Sequence, residues 1–95
     1  HAPFMSVIRS GAIIITRDGV NERTFIHGGF AEVTPAGLTI LAEEAIPVSE
    51  IDIAAVERDL VNAREDVGVA KTDEARESAE ALVSKLEAMK TVAAH

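Results

Sequence analysis

The stretch SGAIIITRDGVNERTFIHGGFAEVTPAGLTIL, residues 10–41, decides the fold, because it consists of short apolar runs separated by turn-forming residues. Asp18-Gly19 is typical of a tight hairpin turn, since both residue types tolerate a positive φ. Thr34-Pro35-Ala36-Gly37 has Pro at the second turn position and Gly at the fourth, as a type I turn prefers. Turns spaced about 8–12 residues apart predict an antiparallel sandwich or barrel.

Five short strands are predicted from these signals and from the flanking residues. They lie at residues 4–9, 12–16, 23–27, 30–34 and 38–42. Ser10-Gly11 and Gly28-Gly29 are expected to end the first and the third of them. Alternation places Phe30 and Glu32 on one face of the fourth strand, opposite Val33.

The pattern changes at Pro47, because no further Pro and only one further Gly follow it. The charge also divides there, with a net charge of -2 over residues 1–47 and of -5 over residues 48–95. We therefore predict a β portion at residues 1–47 and a two-helix arm at residues 48–95.

Two helices are predicted in the arm. Ser49 is the expected N-cap of the first helix and Gly68 its expected C-terminal end. Thr72 is the expected N-cap of the second helix. Each helix carries an apolar stripe at steps of three and four residues: Ile53, Val56, Leu60, Ala63 and Val67 in the first, and Ala75, Ala79, Leu82, Leu86, Met89 and Ala93 in the second. The two stripes predict an antiparallel helical hairpin.

The interface between the two helices is rich in alanine, with Ala63, Ala75 and Ala79 near the turn. Burying an alanine methyl group contributes much less than the ~1.5–3 kcal/mol of a Leu or Val side chain. Intrahelical charge pairs, Arg76 with Glu80 and Glu87 with Lys90, would add only ~0.2–0.5 kcal/mol each. The hairpin is therefore expected to be weakly stable, and to part if something else binds its faces.

Composition excludes several classes of function. The formal net charge of -7 argues against a nucleic-acid binder, which needs a basic stripe to displace counterions from phosphate. An anionic membrane surface would repel the chain for the same reason. The longest apolar run, Ala12–Ile15, is too short to cross a bilayer, so direct membrane insertion is not expected. With no Cys, the chain has neither a disulfide framework nor a zinc-thiolate site.

No group of residues predicts catalysis, cofactor binding or metal binding. His1, His27 and His95 lie in different segments, and none has a second ligand at metal-binding spacing. Gly28-Gly29 lacks the Gly-Lys-Ser/Thr continuation of a phosphate loop and is better explained as a β-turn. His27 alone makes no catalytic site and is expected to be structural or exposed. The residues therefore indicate a β module with a helical arm that contacts other proteins.

The segments HAPFMSVIRSGAI and GGFAEVTPAGLTILAEEA, followed by a capped pair of helices, resemble the epsilon subunit of bacterial F-type ATP synthases. The mitochondrial counterpart is called delta. The resemblance implies part of an antiparallel β-sandwich followed by a C-terminal antiparallel α-helical hairpin. In the family, the opening strands of the sandwich precede a Gly-His-Ala-Pro turn that His1-Ala2-Pro3 matches. The resemblance therefore implies that these N-terminal strands are missing here.

The resemblance also implies a non-catalytic rotor subunit of the central stalk. Such a subunit binds the gamma subunit and the c-ring, couples ring rotation to gamma, and so couples proton transport to ATP synthesis. It implies that His1, Ala2 and Pro3 contact gamma or the c-ring, and that no cofactor is bound. The implied location is peripheral, on the cytoplasmic face of the bacterial plasma membrane, or on the matrix face of the mitochondrial inner membrane.

The helical arm of many family members reaches the alpha/beta catalytic head and restrains ATP hydrolysis. Leu82, Leu86 and Met89 form the expected regulatory face of the arm here, because the second helix is net acidic and would be repelled by an acidic partner. Some members bind ATP through an Ile/Leu-Asp-x-x-Arg-Ala motif. This chain matches it at Ile51-Asp52 but has Ala55 in place of Arg, so ATP binding is not expected.

A second hypothesis belongs to a different functional class. If the resemblance misleads, the chain is a stand-alone adaptor or dimerisation module that uses its helix pair as a coiled-coil interface. Co-purification separates the two hypotheses, because a rotor subunit accompanies gamma and membrane fractions and an adaptor does not.

Overall fold

The computed structural model describes residues 3–95, which form three strands and two long helices. In chain order these are β1 Phe4–Arg17, β2 Val20–Thr34, β3 Gly37–Pro47, a short 3₁₀ helix Val48–Glu50, α1 Ile53–Val69 and α2 Asp73–Ala94. The chain divides into two compact units, of which the first ends at Val48 and the second begins at Ser49. The predicted class, antiparallel strands followed by a helical hairpin, is confirmed.

The three strands form one antiparallel sheet with the order β1-β2-β3. Arg17 pairs with Val20 across a two-residue turn in which Asp18 and Gly19 have φ values of 51° and 77°. Positive φ at both central positions gives the turn a twist that matches the strands on either side. Thr34 pairs with Gly37 across the second turn, where the N–H of Ala36 donates to Thr34 Oγ1 at 3.2 Å. Both predicted turns are therefore confirmed in position.

The prediction of five short strands was wrong, because Ser10-Gly11 and Gly28-Gly29 lie inside continuous strands. Ser10 pairs with His27 and Gly11 pairs with Ile26. Gly28 and Gly29 have φ values of 70° and 141°, yet the register of β2 with both neighbours is the same before and after them. The positive φ angles of the two glycines do not shift the strand register. Pairing with β1 and β3 on both sides of the glycines keeps β2 continuous.

The first unit buries residues only at the middle of its central strand. Thr24, Phe25 and Ile26 are buried there, with Phe25 fully inaccessible. Large apolar side chains of all three strands remain exposed, among them Val7 at 70% and Leu41 at 65%. The described residues therefore leave much of the sheet's apolar surface uncovered.

The helix ends depend on side-chain caps. Asp52, not Ser49, caps α1, since its carboxylate accepts from the N–H of Ala55 at 3.1 Å and Ser49 lies in the preceding 3₁₀ helix. Thr72 caps α2 as predicted, accepting from the N–H of Ala75 at 3.0 Å. Gly68 does not end α1, which continues to Val69. Ala70 has φ -59° and ψ 130°, so the chain leaves the helix in an extended conformation that requires no glycine.

The hairpin buries part of each predicted stripe and leaves the predicted members Ile53, Ala75 and Leu82 exposed. The buried side chains are Val56, Leu60 and Ala63 of α1 with Ala79, Leu86 and Met89 of α2. Two ion pairs also join the helices, Arg64 Nη2 to Glu87 Oε1 at 2.9 Å and Lys90 Nζ to Glu57 Oε1 at 3.5 Å. Glu87 and Lys90 were predicted to pair with each other within α2, and the structure instead pairs each with a residue of α1. Arg76 was predicted to pair with Glu80 and pairs with Asp73, at 3.2 Å.

Candidate interaction surfaces

The described residues hold no group of three or more potential metal ligands, so the site must be sought among surfaces. His27 is half-buried in the sheet, where its Nδ1 lies 2.7 Å from Ser10 Oγ across the β1–β2 pair. Its ring lies parallel to that of Phe25, with centroids 6.4 Å apart and an interplanar angle of 9°. These contacts fix the imidazole within the sheet, as the structural interpretation of His27 predicts.

The partner-contact site inferred from the resemblance lies at the start of the chain. His1 and Ala2 fall outside the described residues, and Pro3 is exposed immediately before β1. The contact of His1, Ala2 and Pro3 with gamma or the c-ring therefore stays a prediction.

Cross-strand pairing assigns the sheet residues to two faces, because residues opposite one another share a face and neighbours along a strand do not. We call the first the Glu32 face, formed near this end of the sheet by Met5, Val7, Phe30, Glu32, Thr39 and Leu41. We call the second the His27 face, formed at the same end by Phe4, Ile8, Ala31, Val33, Leu38 and Ile40. Both faces carry exposed apolar side chains, so neither is closed by the described residues.

The Glu32 face contains a cleft of about 210 Å³. Its lining residues are Met5, Phe30, Glu32, Thr39 and Leu41, which come from all three strands. Met5, Glu32 and Thr39 form one cross-strand row, and Phe30 and Leu41 belong to a neighbouring row on the same face. Glu32 is half-buried in this mainly apolar setting. The cleft therefore combines apolar walls with a single acidic side chain.

A second cleft lies on the same face, at the β1–β2 turn. It has a volume of about 290 Å³ and is lined by Ile15, Arg17, Asp18, Val20 and Glu22. This cleft differs from the Glu32 cleft, since a cation and two acidic side chains share its lining.

The predicted regulatory face of the arm is divided in the hairpin. Leu86 and Met89 are 5% and 8% exposed, whereas Leu82 is 42% exposed. Leu82 lines an open cleft of about 580 Å³ beside the helix–helix turn, together with Val69, Ala70 and Ala79. The hairpin is therefore tightly closed around Leu86 and loosely packed near its turn. As long as it stays closed, Leu86 and Met89 are not available to a partner.

The residues that match the nucleotide motif have a structural use in this chain. A carboxylate oxygen of Asp52 accepts a hydrogen bond from the N–H of Ala55, so Asp52 is the N-cap of α1. Ala55 lies in the first turn and contributes only a methyl group. No guanidinium stands at that position to hold a phosphate.

Sequence reasoning placed Phe30 with Glu32 but missed Met5, Thr39 and Leu41 as their neighbours. The signal was present in the second turn. A two-residue connection at Pro35-Ala36 pairs Thr34 with Gly37, and this register puts Thr39 opposite Glu32. The β1 partner could not be obtained in this way, because the expected break at Gly28-Gly29 hid the unbroken register.

No helix in the described part of the chain is long and apolar enough to span a bilayer.

Comparison with known proteins identifies similar chains over the whole length. Residues 1–48 match the family model described as ATP synthase, Delta/Epsilon chain, beta-sandwich domain. The ATP synthase epsilon chain of Maricaulis maris is 67% identical over 95 residues, covering 100% of this chain and 71% of the relative. That of Parvibaculum lavamentivorans is 49% identical over 80 residues, covering 83% of this chain and 61% of the relative.

A solved structure is similar to both units of the chain. A chain of the Euglena gracilis mitochondrial ATP synthase, solved by cryo-EM as an OSCP/F1/c-ring assembly, matches with a TM-score of 0.79 and 26% identity. The match covers 100% of this chain and 59% of that one. The chain thus spans roughly three fifths to seven tenths of the proteins that it resembles.

Proposed function

The chain belongs to the delta/epsilon family of ATP synthase subunits, and from this premise we propose that it is a non-catalytic rotor subunit of the central stalk. The observation that carries the proposal is 67% identity to an ATP synthase epsilon chain over all 95 residues. In this role the subunit would transmit c-ring rotation to gamma, and so couple proton transport to ATP synthesis.

The sheet unit is the proposed binding part, with gamma and the c-ring as its partners. Val7, Leu38 and Leu41 are each more than half exposed, so the described residues leave apolar surface on the sheet that further protein can cover. A partner surface that covers them would gain ~25 cal/mol for each Å² of apolar area removed from water. His1, Ala2 and Pro3 remain part of the proposed contact.

The subunit is proposed to lie at the membrane surface by binding other proteins. The location is the cytoplasmic face of the bacterial plasma membrane, which agrees with similarity to bacterial epsilon chains. A net charge of -7 gives it no electrostatic attraction to anionic lipid, so the c-ring and gamma would hold it there.

The arm is proposed to restrain ATP hydrolysis through an apolar contact with the alpha/beta head. Leu82, Leu86 and Met89 would form that contact after the hairpin opens, since Leu86 and Met89 are buried while it is closed. Opening requires loss of the Arg64–Glu87 and Glu57–Lys90 pairs, whose side chains are 50–57% exposed. Exposed pairs contribute ~0–1 kcal/mol, so they are a small obstacle to opening.

Regulation by nucleotide is not part of this proposal, because Asp52 caps α1 and Ala55 replaces the motif arginine. Calorimetric titration of the full-length subunit with Mg-ATP should give no saturable heat at millimolar concentration. Saturable heat that Asp52→Ala abolishes would show that another residue replaces the arginine.

The experiment that tests the rotor proposal is co-purification from membranes. A tagged full-length subunit should retain gamma and the c-ring together, and a tagged arm, residues 49–95, should retain neither. Recovery of the tagged subunit as a free dimer, without gamma, would favour the adaptor hypothesis.

The regulatory part has a separate test, steady-state ATP hydrolysis by the reconstituted enzyme. Deletion of residues 72–95 should raise the rate. An unchanged rate after this deletion would show that the arm does not restrain hydrolysis.

A further inference from the structure

We draw no further inference here: the strongest candidate, the exposed apolar surface of the sheet around the Glu32 cleft, carries no proposal because the chain spans only part of the length of its relatives and nothing in the structure shows whether further strands of the same subunit or another protein cover that surface.

Discussion

The two units of the molecule treat their apolar side chains in opposite ways. The sheet unit leaves large apolar residues exposed on both faces and buries only Thr24, Phe25 and Ile26 near its centre. The hairpin unit buries six apolar residues between its two helices but leaves Val61, Val69 and Leu82 exposed. Two exposed ion pairs link α1 to α2. Cross-strand pairing fixes the register of the sheet, but the described residues leave its two faces largely uncovered. In the hairpin, each helix covers part of the apolar stripe of the other.

This difference indicates that the two units have different roles. Apolar surface that the described residues leave uncovered is stabilised when further protein covers it, because burial of that area lowers the free energy. A closed amphipathic hairpin covers part of its own apolar stripes, and a partner that covers the same side chains, Leu60, Leu86 and Met89 among them, can replace that contact. We therefore expect the sheet to hold the subunit in its assembly and the arm to be the part that changes.

The sheet should be the more sensitive unit to backbone substitution, with Gly29→Ala as the largest expected effect. A Cβ at Gly29 would fall on the carbonyl oxygen of Leu41, and its φ of 141° is a region that only glycine adopts readily. We expect a loss of about 3 kcal/mol or more in the free energy of unfolding of the full-length subunit. Denaturant unfolding measures it.

Gly11→Ala is the control for this prediction, since a Cβ there meets nothing within 4 Å. It should change the free energy of unfolding by less than about 1 kcal/mol. Equal effects at the two glycines would contradict the close β2–β3 approach at Gly29.

The hairpin should depend on few side chains, and Leu86→Ala is expected to show this. Leu86 is 5% exposed, so its truncation should lower hairpin stability by about 2–4 kcal/mol. Leu82→Ala should cost less than about 1 kcal/mol, because Leu82 is 42% exposed beside the open cleft at the turn. Loss of helical circular dichroism on heating distinguishes them, and a larger effect at Leu82 would mean that the packing is reversed.

The start of the arm depends on one carboxylate. Asp52→Ala removes the acceptor for the N–H of Ala55 and should destabilise α1 by about 1 kcal/mol. Asp59→Ala, at an exposed position within α1, is the control and should have little effect. Hydrogen exchange at the first turn of α1 reports the change directly. If the Asp52→Ala variant keeps the same protection from hydrogen exchange at this turn, Asp52 is not the N-cap and Ser49 is the better candidate.

The smallest expected effect has the opposite sign. Gly68 lies inside α1, and a Cβ there meets nothing within 4 Å. Gly68→Ala should therefore stabilise the hairpin by about 0.5–1 kcal/mol. A thermal melt of the full-length subunit tests it, and destabilisation would show that Gly68 ends the helix in solution, as its position in the sequence first indicated.

Much of this architecture was predictable because local chemistry determines it. Asp18-Gly19 can hardly be anything but a turn, and Thr72 followed by two acids is a strong helix start. The helical stripes predicted the buried residues Val56, Leu60, Leu86 and Met89 correctly. In each of these cases the information lies within a few residues of the chain.

The errors came from positions where distant residues decide the outcome. Ser10-Gly11 and Gly28-Gly29 resemble strand ends locally, but pairing across the sheet keeps both strands continuous. Asp52 replaced Ser49 as the N-cap because Ser49 itself lies in the 3₁₀ helix Val48–Glu50 and α1 begins only at Ile53. The residues that line the Glu32 cleft come from three strands, so they can be identified only when the register of all three is known. The sequence pattern therefore predicted that Phe30 and Glu32 share a face but did not identify their neighbours.

The most direct measurement of the central claim compares gamma binding by the full-length subunit with and without its arm. If the sheet holds the subunit in the assembly, deletion of residues 49–95 should leave the affinity for gamma within about threefold, since the deleted hairpin closes its own apolar interface. Calorimetry or surface plasmon resonance on purified proteins gives this ratio. A loss of affinity of about 100-fold or more, with the truncated sheet unit still folded, would show that the arm carries the contact and would contradict the account.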